Sequence, residues 1–553
     1  MKKILFIIFT ENSNFGVSML CALANKHGWS TDIYFIEPED VNINKEENYN
    51  KLKEFIINYK PDIISFSFKS FERNQALDVA KFINNLNVTH WNNYGKILKI
   101  IAGGIHPTLM PDEIMETGLF DAVVVGDGMG ILEEILNTYE SLNRKILYGK
   151  QHSDKNVYTN FFYSKNQIER MKNTETATVL TTIGCPYECT FCHSGNQTFF
   201  PLPIKNVAKY IIELYENYGV RNFHFLDDLF AYNLKRLQEF NHIIKEHNTK
   251  ILFSSQVSCR VDKFNEEIAK EFVSMGVETV NFGVETVSFR LLQFLNKKHA
   301  PNECYEAVNL CHKYELNCTV NLMFGIPTQN KYDYDLSLDF IKTTNPDSVN
   351  CFIYTPYPGT DLYDFCFRYN YISNEFNPNK FDWFKPNLNG INTAQFKLNK
   401  VDYELANDYI KKINKVLDEE KDKLLFEKMK VIDSQPWILI GTTRHYYFIK
   451  LIKKLSKTKW NNFLGYINID KDAGFYVNEN LNPSKVTKPF WFVTYAFLNG
   501  TDFKNLEKYI EKKYNPENNE YYNNIPLISI SSFKKSHSVK DIEFIERIHV
   551  INS

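Results

Sequence analysis

Cysteine is scarce in this 553-residue chain, with ten residues, too few for a disulfide-built scaffold. A reducing compartment, the cytoplasm, is therefore expected, where clustered thiols read as metal ligands or nucleophiles. An excess of one charge is also missing, because 64 lysines and arginines nearly balance 66 aspartates and glutamates, for a net charge of −2. A nucleic-acid binder needs surplus basic residues to neutralise phosphates, so that class is excluded. No apolar run is long enough to span a bilayer, and the one at residues 4–9 is followed by no small-residue cleavage site. Neither a membrane anchor nor a signal peptide is expected. Internal repeats and low-complexity tracts are absent too. What is present is ordinary globular material, 44% hydrophobic and 24% charged, enough for several domains.

The first 150 residues alternate short apolar runs with helical periods. Runs at 4–9, 32–36, 63–68, 97–102 and 122–125 show no polar alternation, the mark of strands buried on both faces. Helical patterns at 17–26 and 74–83 lie between them, so the expectation is an α/β Rossmann-like (flavodoxin-like) domain over 1–147. Each run ends in a polar or glycine-rich turn: the 10–13 stretch, Ser65-Phe66-Ser67, Gly103-Gly104-Ile105-His106 and Gly126-Asp127-Gly128. In an open doubly wound sheet a ligand sits where such turns gather, and glycine lets backbone approach it closely.

A polar connector, 148–175, leads into a second alternation over 176–370. Six candidate strands, 179–183, 222–226, 252–257, 279–284, 319–324 and 349–354, are separated by helical stretches. That beat predicts a partial (β/α)6 barrel of the TIM type, with its chemistry at the carboxyl ends of the strands. An irregular wrap and a long charged helix are expected over 371–430. A small Rossmann-like α/β domain over 431–553 should follow, with strands near 437–440, 464–469, 489–496 and 526–530.

The most informative stretch is Gly184-Cys185-Pro186-Tyr187-Glu188-Cys189-Thr190-Phe191-Cys192-His193, placed just after the first barrel strand. Three thiolates at spacings of four and three can serve three irons of a [4Fe–4S] cubane and leave the fourth open to a chelating ligand. Thiolates are soft, strongly donating ligands suited to that cluster. A closed zinc knuckle is the alternative, but it needs a fourth ligand and only His193 stands nearby.

The Cys-x3-Cys-x-aromatic-Cys loop resembles the signature of the radical S-adenosylmethionine enzymes. The resemblance implies that Cys185, Cys189 and Cys192 hold the cluster and that Phe191 lies beside S-adenosylmethionine. It further implies that Asp227 contacts the methionine end of the ligand, that Ser258 and Arg260 follow the third strand at the same site, and that Glu285 accepts hydrogen bonds from the ribose. Gly325-Ile326-Pro327 would pack near the adenine. The N-terminal domain is similar to the cobalamin-binding domain upstream of this barrel in one large subfamily. That likeness implies a cobalamin site at Ser65, Ser67, Gly103, Gly104, His106, Thr108, Gly126 and Gly128. The Asp-x-His-x-x-Gly motif that supplies cobalt with an axial histidine is missing, and His106 sits in a different turn, so it is not expected to ligate cobalt. A flavodoxin-like domain without ligand remains the alternative.

The expected cofactors are thus a [4Fe–4S] cluster, S-adenosylmethionine and cobalamin. The expected partners are a small-molecule substrate and an external electron donor of the flavodoxin or ferredoxin type, with neither nucleic acid nor membrane. The leading expectation is a methyltransferase acting on an unactivated carbon through a 5′-deoxyadenosyl radical and methylcobalamin. Two alternatives stay open: cyclisation or rearrangement with the same cofactors, and a non-catalytic cobalamin- or redox-sensing protein. Methylthio transfer is disfavoured because the N-terminal domain has only Cys21 and so cannot hold a second cluster. Cys304, Cys311 and Cys318 recur every seven residues, but two helical turns separate the first pair by roughly 10 Å, too far for one cubane. Near the C-terminal domain's start, Ile440-Gly441-Thr442-Thr443-Arg444-His445 is a degenerate glycine turn, read as structural or substrate-presenting rather than nucleotide-binding.

Overall fold

The computed structural model describes residues 1–9, 15–36, 45–86, 98–193, 199–247, 256–372 and 398–432, and five strands beyond them. It divides into two compact units, 1–414 and 415–553. In the first unit, six parallel strands form one sheet in the order β2-β1-β3-β4-β5-β6. They are β1 (Lys3–Ile8), β2 (Ser30–Phe35), β3 (Ile63–Ser67), β4 (Lys99–Gly103), β5 (Ala122–Val125) and β6 (Lys145–Tyr148). Ile4, Leu5, Ile7, Ile64, Phe66, Ile100 and Val123 are almost completely buried, which is what a sheet covered on both faces requires. Five strands are those expected. The sixth, β6, is an edge strand with no fully buried residue, so it offers no apolar run to detect.

The second sheet system follows the expected beat with one departure. The run at 179–183 is broken: β7 (Thr176–Val179) pairs with β10 (Asn222–Phe225), while β8 (Thr182–Ile183) leaves to pair antiparallel with β9 (Phe200–Pro201). Strands β11 (Gln256–Cys259), β12 (Thr279–Glu285), β13 (Asn317–Phe324) and β14 (Ser348–Ile353) form a parallel sheet in sequence order. Most of the strand expected at 252–257 lies outside the described residues. On β12 the side chains alternate cleanly. Val280, Phe282 and Val284 are fully buried, whereas Thr279, Asn281, Gly283 and Glu285 are half-buried. The buried face belongs under helices such as Glu266–Met275 and Pro301–Lys313; the other face lines the barrel interior.

The long helix spans Tyr403–Ile432. In the second unit β15 (Trp437–Gly441), β16 (Phe463–Asn468), β17 (Gly474–Val477), β18 (Trp491–Thr494) and β19 (Leu527–Ser529) form a sheet in the order β17-β16-β15-β18-β19. Four of these were expected. The unanticipated β17 is a short, glycine-led strand, antiparallel to β16. The turn from Thr442 to His445 lies outside the described residues. No described helix is long and apolar enough to cross a membrane.

Candidate active site

The cysteine loop begins where β8 ends. Gly184 takes a left-handed backbone (φ 69°) that swings the chain away from the sheet. From there the loop is tied down by backbone. Thr190 N–H donates to the Leu295 carbonyl (3.1 Å), Leu362 N–H donates to the Thr190 carbonyl (2.8 Å), and the Asn296 amide donates to the Glu188 carbonyl (2.6 Å). Within the loop, Cys192 N–H donates to the Cys189 carbonyl at 3.0 Å. Cys185, Cys189 and Cys192 are half-buried free thiols. Among the described residues no trio of His, Cys, Asp or Glu closes around a single metal ion. The three thiols are nevertheless near enough that ionised Cys189 and Cys192 disfavour ionisation of Cys185. Burial pushes Cys185 and Cys189 above the ordinary thiol range, and at Cys189 the Lys297 and Arg260 cations oppose that push. Three soft donors on one loop, open on one side and backed by cations, fit an anionic iron–sulfur cluster better than a closed single-ion site.

Asp227 occupies a different place from the one expected. It is 2% exposed, and its Oδ1 accepts four hydrogen bonds from the break between β7 and β8. The donors are Thr181 N–H (2.9 Å), the Thr181 hydroxyl (2.9 Å), the Thr182 hydroxyl (2.7 Å) and Thr182 N–H. Arg236 grips the same break through the Thr181 carbonyl (2.7 Å) and the Leu202 carbonyl (2.9 Å). Burial pushes the Asp227 carboxyl up, and the threonine donors pull it back. This carboxylate fixes the strand that launches the cysteine loop. Its neighbour Asp228 is exposed and close enough to act electrostatically on Cys185 and His193. The adjacency of the two aspartates, in the turn after β10, hid this division of labour, because which of them meets the break between β7 and β8 is settled only by tertiary packing.

Beyond the cysteines stands a paired charge cluster. Glu285 has a left-handed backbone (φ 62°) at a register shift in β12, and its Oε1 meets Lys297 Nζ at 3.4 Å, both side chains being largely buried. Arg260 donates to Asp262 Oδ1 (2.7 Å) and to the Lys297 carbonyl (2.5 Å), and its guanidinium lies 3.6 Å from the centre of the Tyr187 ring. Lys297 Nζ also stands 5.7 Å from the Phe191 ring. Arg260, Glu285 and Phe191 are thus brought together beside Cys189, and Lys297, which sequence reasoning missed, joins them. No motif marked it, since it lies in a helical exit (residues 295–299) that reads as an ordinary basic turn. Ser258, on the same half-buried strand face, lends its carbonyl to Phe230 N–H (3.1 Å). A Cβ added at Gly325 (φ 70°) would meet Val401 at 3.4 Å and Tyr403 at 3.6 Å. Cys304, Cys311 and Cys318 are completely buried in the helix–strand layer behind the site.

The carboxyl ends of the first sheet enclose a second space, a cavity of about 420 Å³. Ser65, Ser67, Gly103, Gly104, Thr108, Gly126 and Gly128 line it, as expected for the turns, and so do Ile183 and Phe200 from the start of the barrel. Thr108 staples two turns by donating to the Gly104 carbonyl (2.8 Å) and accepting from Gly126 N–H (2.9 Å). Gly104 (φ 95°) is required by its own backbone: an added Cβ would lie 2.8 Å from Phe68 N. At Gly103 and Gly128 a Cβ would meet only ordinary contacts, so there glycine keeps space open. His106 does not line the cavity. It is buried, with Nδ1 3.0 Å from the Ser70 hydroxyl and Nε2 3.0 Å from Glu113, which also pairs with Arg73. Both ring nitrogens are committed to holding the turn. No histidine is among the described residues that line the cavity, whose mostly apolar, glycine-edged walls, with Asp127 and Lys150 as their charged members, fit a bulky cobalamin held largely by shape. The sheet also meets the barrel mouth elsewhere: a Cβ on Gly359 would strike Leu109 at 2.8 Å, and Lys69 acts electrostatically on His193.

Comparison with known proteins agrees with this geometry. Residues 4–136 match the model of the B12 binding domain, and residues 179–341 match that of the radical SAM superfamily. The chain belongs to the cobalamin-dependent radical S-adenosylmethionine enzymes, whose cofactors are a [4Fe–4S] cluster, S-adenosylmethionine and cobalamin. An uncharacterized methyltransferase of Pyrococcus horikoshii is 26% identical over 346 residues, 59% of this chain and 73% of that protein. An anaerobic magnesium-protoporphyrin IX monomethyl ester cyclase of Cereibacter sphaeroides is 23% identical, over 63% of this chain and 59% of its own length. The chain therefore spans less than two thirds of that second relative. The fold is shared with the radical S-adenosylmethionine methyltransferase TsrM from Kitasatospora setae, solved with cobalamin and a [4Fe–4S] cluster (TM-score 0.54, 15% identity, 66% of this chain and 75% of that one).

Proposed function

We propose that this protein methylates an unactivated carbon of a small molecule. The observation that supports the reading is the shared cavity, whose lining runs from the ends of β3, β4 and β5 to Ile183 at the head of the cysteine loop. A methyl group carried at one site reaches a carbon activated at the other only if both sites open into one space. When bound, the cluster with S-adenosylmethionine supplies hydrogen abstraction, and cobalamin supplies a transferable methyl group.

The chain's own residues divide the remaining work. Cys185, Cys189 and Cys192 hold the cluster, and Asp227 sets the strand from which they project. Ser258, Arg260, Glu285 and Phe191, with Lys297, face the S-adenosylmethionine side, where paired charges orient a zwitterionic ligand. Ser65, Ser67, Gly103, Gly104, Thr108, Gly126 and Gly128 would cradle cobalamin, with no histidine among the described residues of that lining. Apolar neighbours such as Leu20, Val124 and Phe200 keep water from the shared space. Electrons come from a flavodoxin or ferredoxin in the cytoplasm.

Turnover by the anaerobically reconstituted chain should release S-adenosylhomocysteine and 5′-deoxyadenosine in roughly equal amounts, one for the methyl group and one for the radical. A second reading, cyclisation, draws on the likeness to the cyclase of Cereibacter sphaeroides. Product formed with 5′-deoxyadenosine but never S-adenosylhomocysteine would replace the first reading with the second.

A further inference from the structure

The interior of a parallel barrel is ordinarily packed with branched apolar side chains. Here three adjacent strands place asparagine there instead. Asn350 on β14 donates to Asn321 Oδ1 at 2.9 Å, and Asn321 on β13 donates to Asn281 Oδ1 on β12 at 3.0 Å. Asparagine is a poor strand former, and all three are half-buried, so the ladder faces open space rather than a sealed core. Each amide brings two N–H donors, and the ladder engages one from Asn350 and one from Asn321. Both donors of Asn281 and the carbonyl of Asn350 have no other partner among the described residues. The row continues on β11, where Ser258 stands opposite Asn281.

The ladder also belongs to the active site. Asn321 lies opposite Gly283, two residues or about 7 Å along the strand from Glu285. At Gly283 an added Cβ would fall 2.9 Å from Glu285 Oε1 and 3.4 Å from Lys297 Nζ. The ion pair therefore folds back over a missing side chain, toward the asparagines and on the same strand face.

We propose that Asn281, Asn321 and Asn350 form the specificity wall of the substrate cavity, and that the substrate is a neutral, hydrophilic molecule presenting hydroxyl or carboxamide groups to it. Amides offer donors and acceptors together but no charge, so a carboxylate or phosphate finds no counter-ion on this wall. A flat apolar macrocycle would leave the amides buried without partners, which sites lined with polar groups discriminate against strongly. The inference rests on the barrel's being the site of substrate radical formation; it does not require methyl transfer.

The test measures 5′-deoxyadenosine release by the full chain, loaded with cluster and cobalamin. Three fractions of a deproteinised extract of the source cells are added in turn: neutral hydrophilic, ionic and apolar. Only the neutral hydrophilic fraction should accelerate release, by at least tenfold. Asn321→Leu, with iron content and circular dichroism matching the parent, should lose that response at least tenfold, and Asn321→Ser should recover part of it. If Asn321→Leu fails to fold, Asn350→Val at the ladder's end reads the same effect. Acceleration by the apolar or ionic fraction, none by the neutral fraction, or an undiminished response in the folded leucine or valine variant would overturn the assignment. Acceleration without S-adenosylhomocysteine supports the ladder while removing the methyl-transfer reading.

Discussion

The two halves of the first unit use the same architectural device, parallel strands ending in turns, for opposite chemical surfaces. The N-terminal sheet ends in glycine, serine and threonine, with its buried histidine and carboxylate withdrawn into a side network. The barrel ends in thiols and paired charges, with Lys297–Glu285 and Arg260–Asp262 drawn up beside Cys189. A large ligand can be held by shape and many weak contacts, so mostly uncharged walls and vacant glycine positions suffice. An anionic cluster with a zwitterionic ligand needs charges fixed in advance, because reorganising them on binding costs part of the interaction. The difference teaches which residues are interchangeable. At the sheet it is volume that matters; at the barrel it is charge and donor type.

Breaking the barrel side outright should give the largest effect. Replacing Cys185, Cys189 and Cys192 with Ala should abolish iron binding after anaerobic reconstitution, together with all 5′-deoxyadenosine release. Cobalamin should still bind, since no cysteine of the loop lines the described cavity wall. About four iron atoms remaining per chain would refute the cluster assignment.

A smaller effect should separate charge from volume. Lys297→Met keeps the stem but leaves Glu285 buried without its cation, a change of about 3 kcal/mol in stability for a largely buried pair. Affinity for S-adenosylmethionine should fall with it. Adding Glu285→Leu should recover part of the loss in chemical denaturation, because no unpaired charge then remains. A double variant no more stable than Lys297→Met would mean that the pair is not coupled.

The smallest effect belongs to the sheet. Gly103→Leu adds volume where a Cβ meets only ordinary contacts, so the fold should hold while cobalamin affinity drops roughly tenfold, about 1.4 kcal/mol. Gly104 is the wrong place for this test, as any side chain there strikes the Phe68 backbone before it reaches the ligand space. Bound cobalamin should show a base-off spectrum. Undiminished binding by Gly103→Leu would move the cobalamin site elsewhere.

Much of this was legible without coordinates, for physical reasons that differ by residue. Cys185, Cys189 and Cys192 announce themselves because a local loop needs fixed spacing. Ser65, Ser67, Gly103 and Gly126 could be found because buried parallel strands are continuous apolar runs whose ends are unmistakable. The resemblance implies His106 and Asp227 at the ligands, but a motif carries no side-chain direction, and both are held by internal partners. Edge strand β6 lacks a buried run, and β8 departs from its sheet after only two intervening residues, below the resolution of any periodicity.

The sequence by itself determined the order of the two cofactor-binding domains, the cysteine spacing and the set of cofactors, because each rests on interactions within a few residues or on repeated local patterns. Only the tertiary structure decided which of Asp227 and Asp228 faces the cysteines, that Lys297 closes on Glu285, and that three asparagines from strands about 30 to 40 residues apart line up across the barrel. Those facts depend on face and register between distant strands. A single-residue shift would reverse them while leaving every local pattern unchanged.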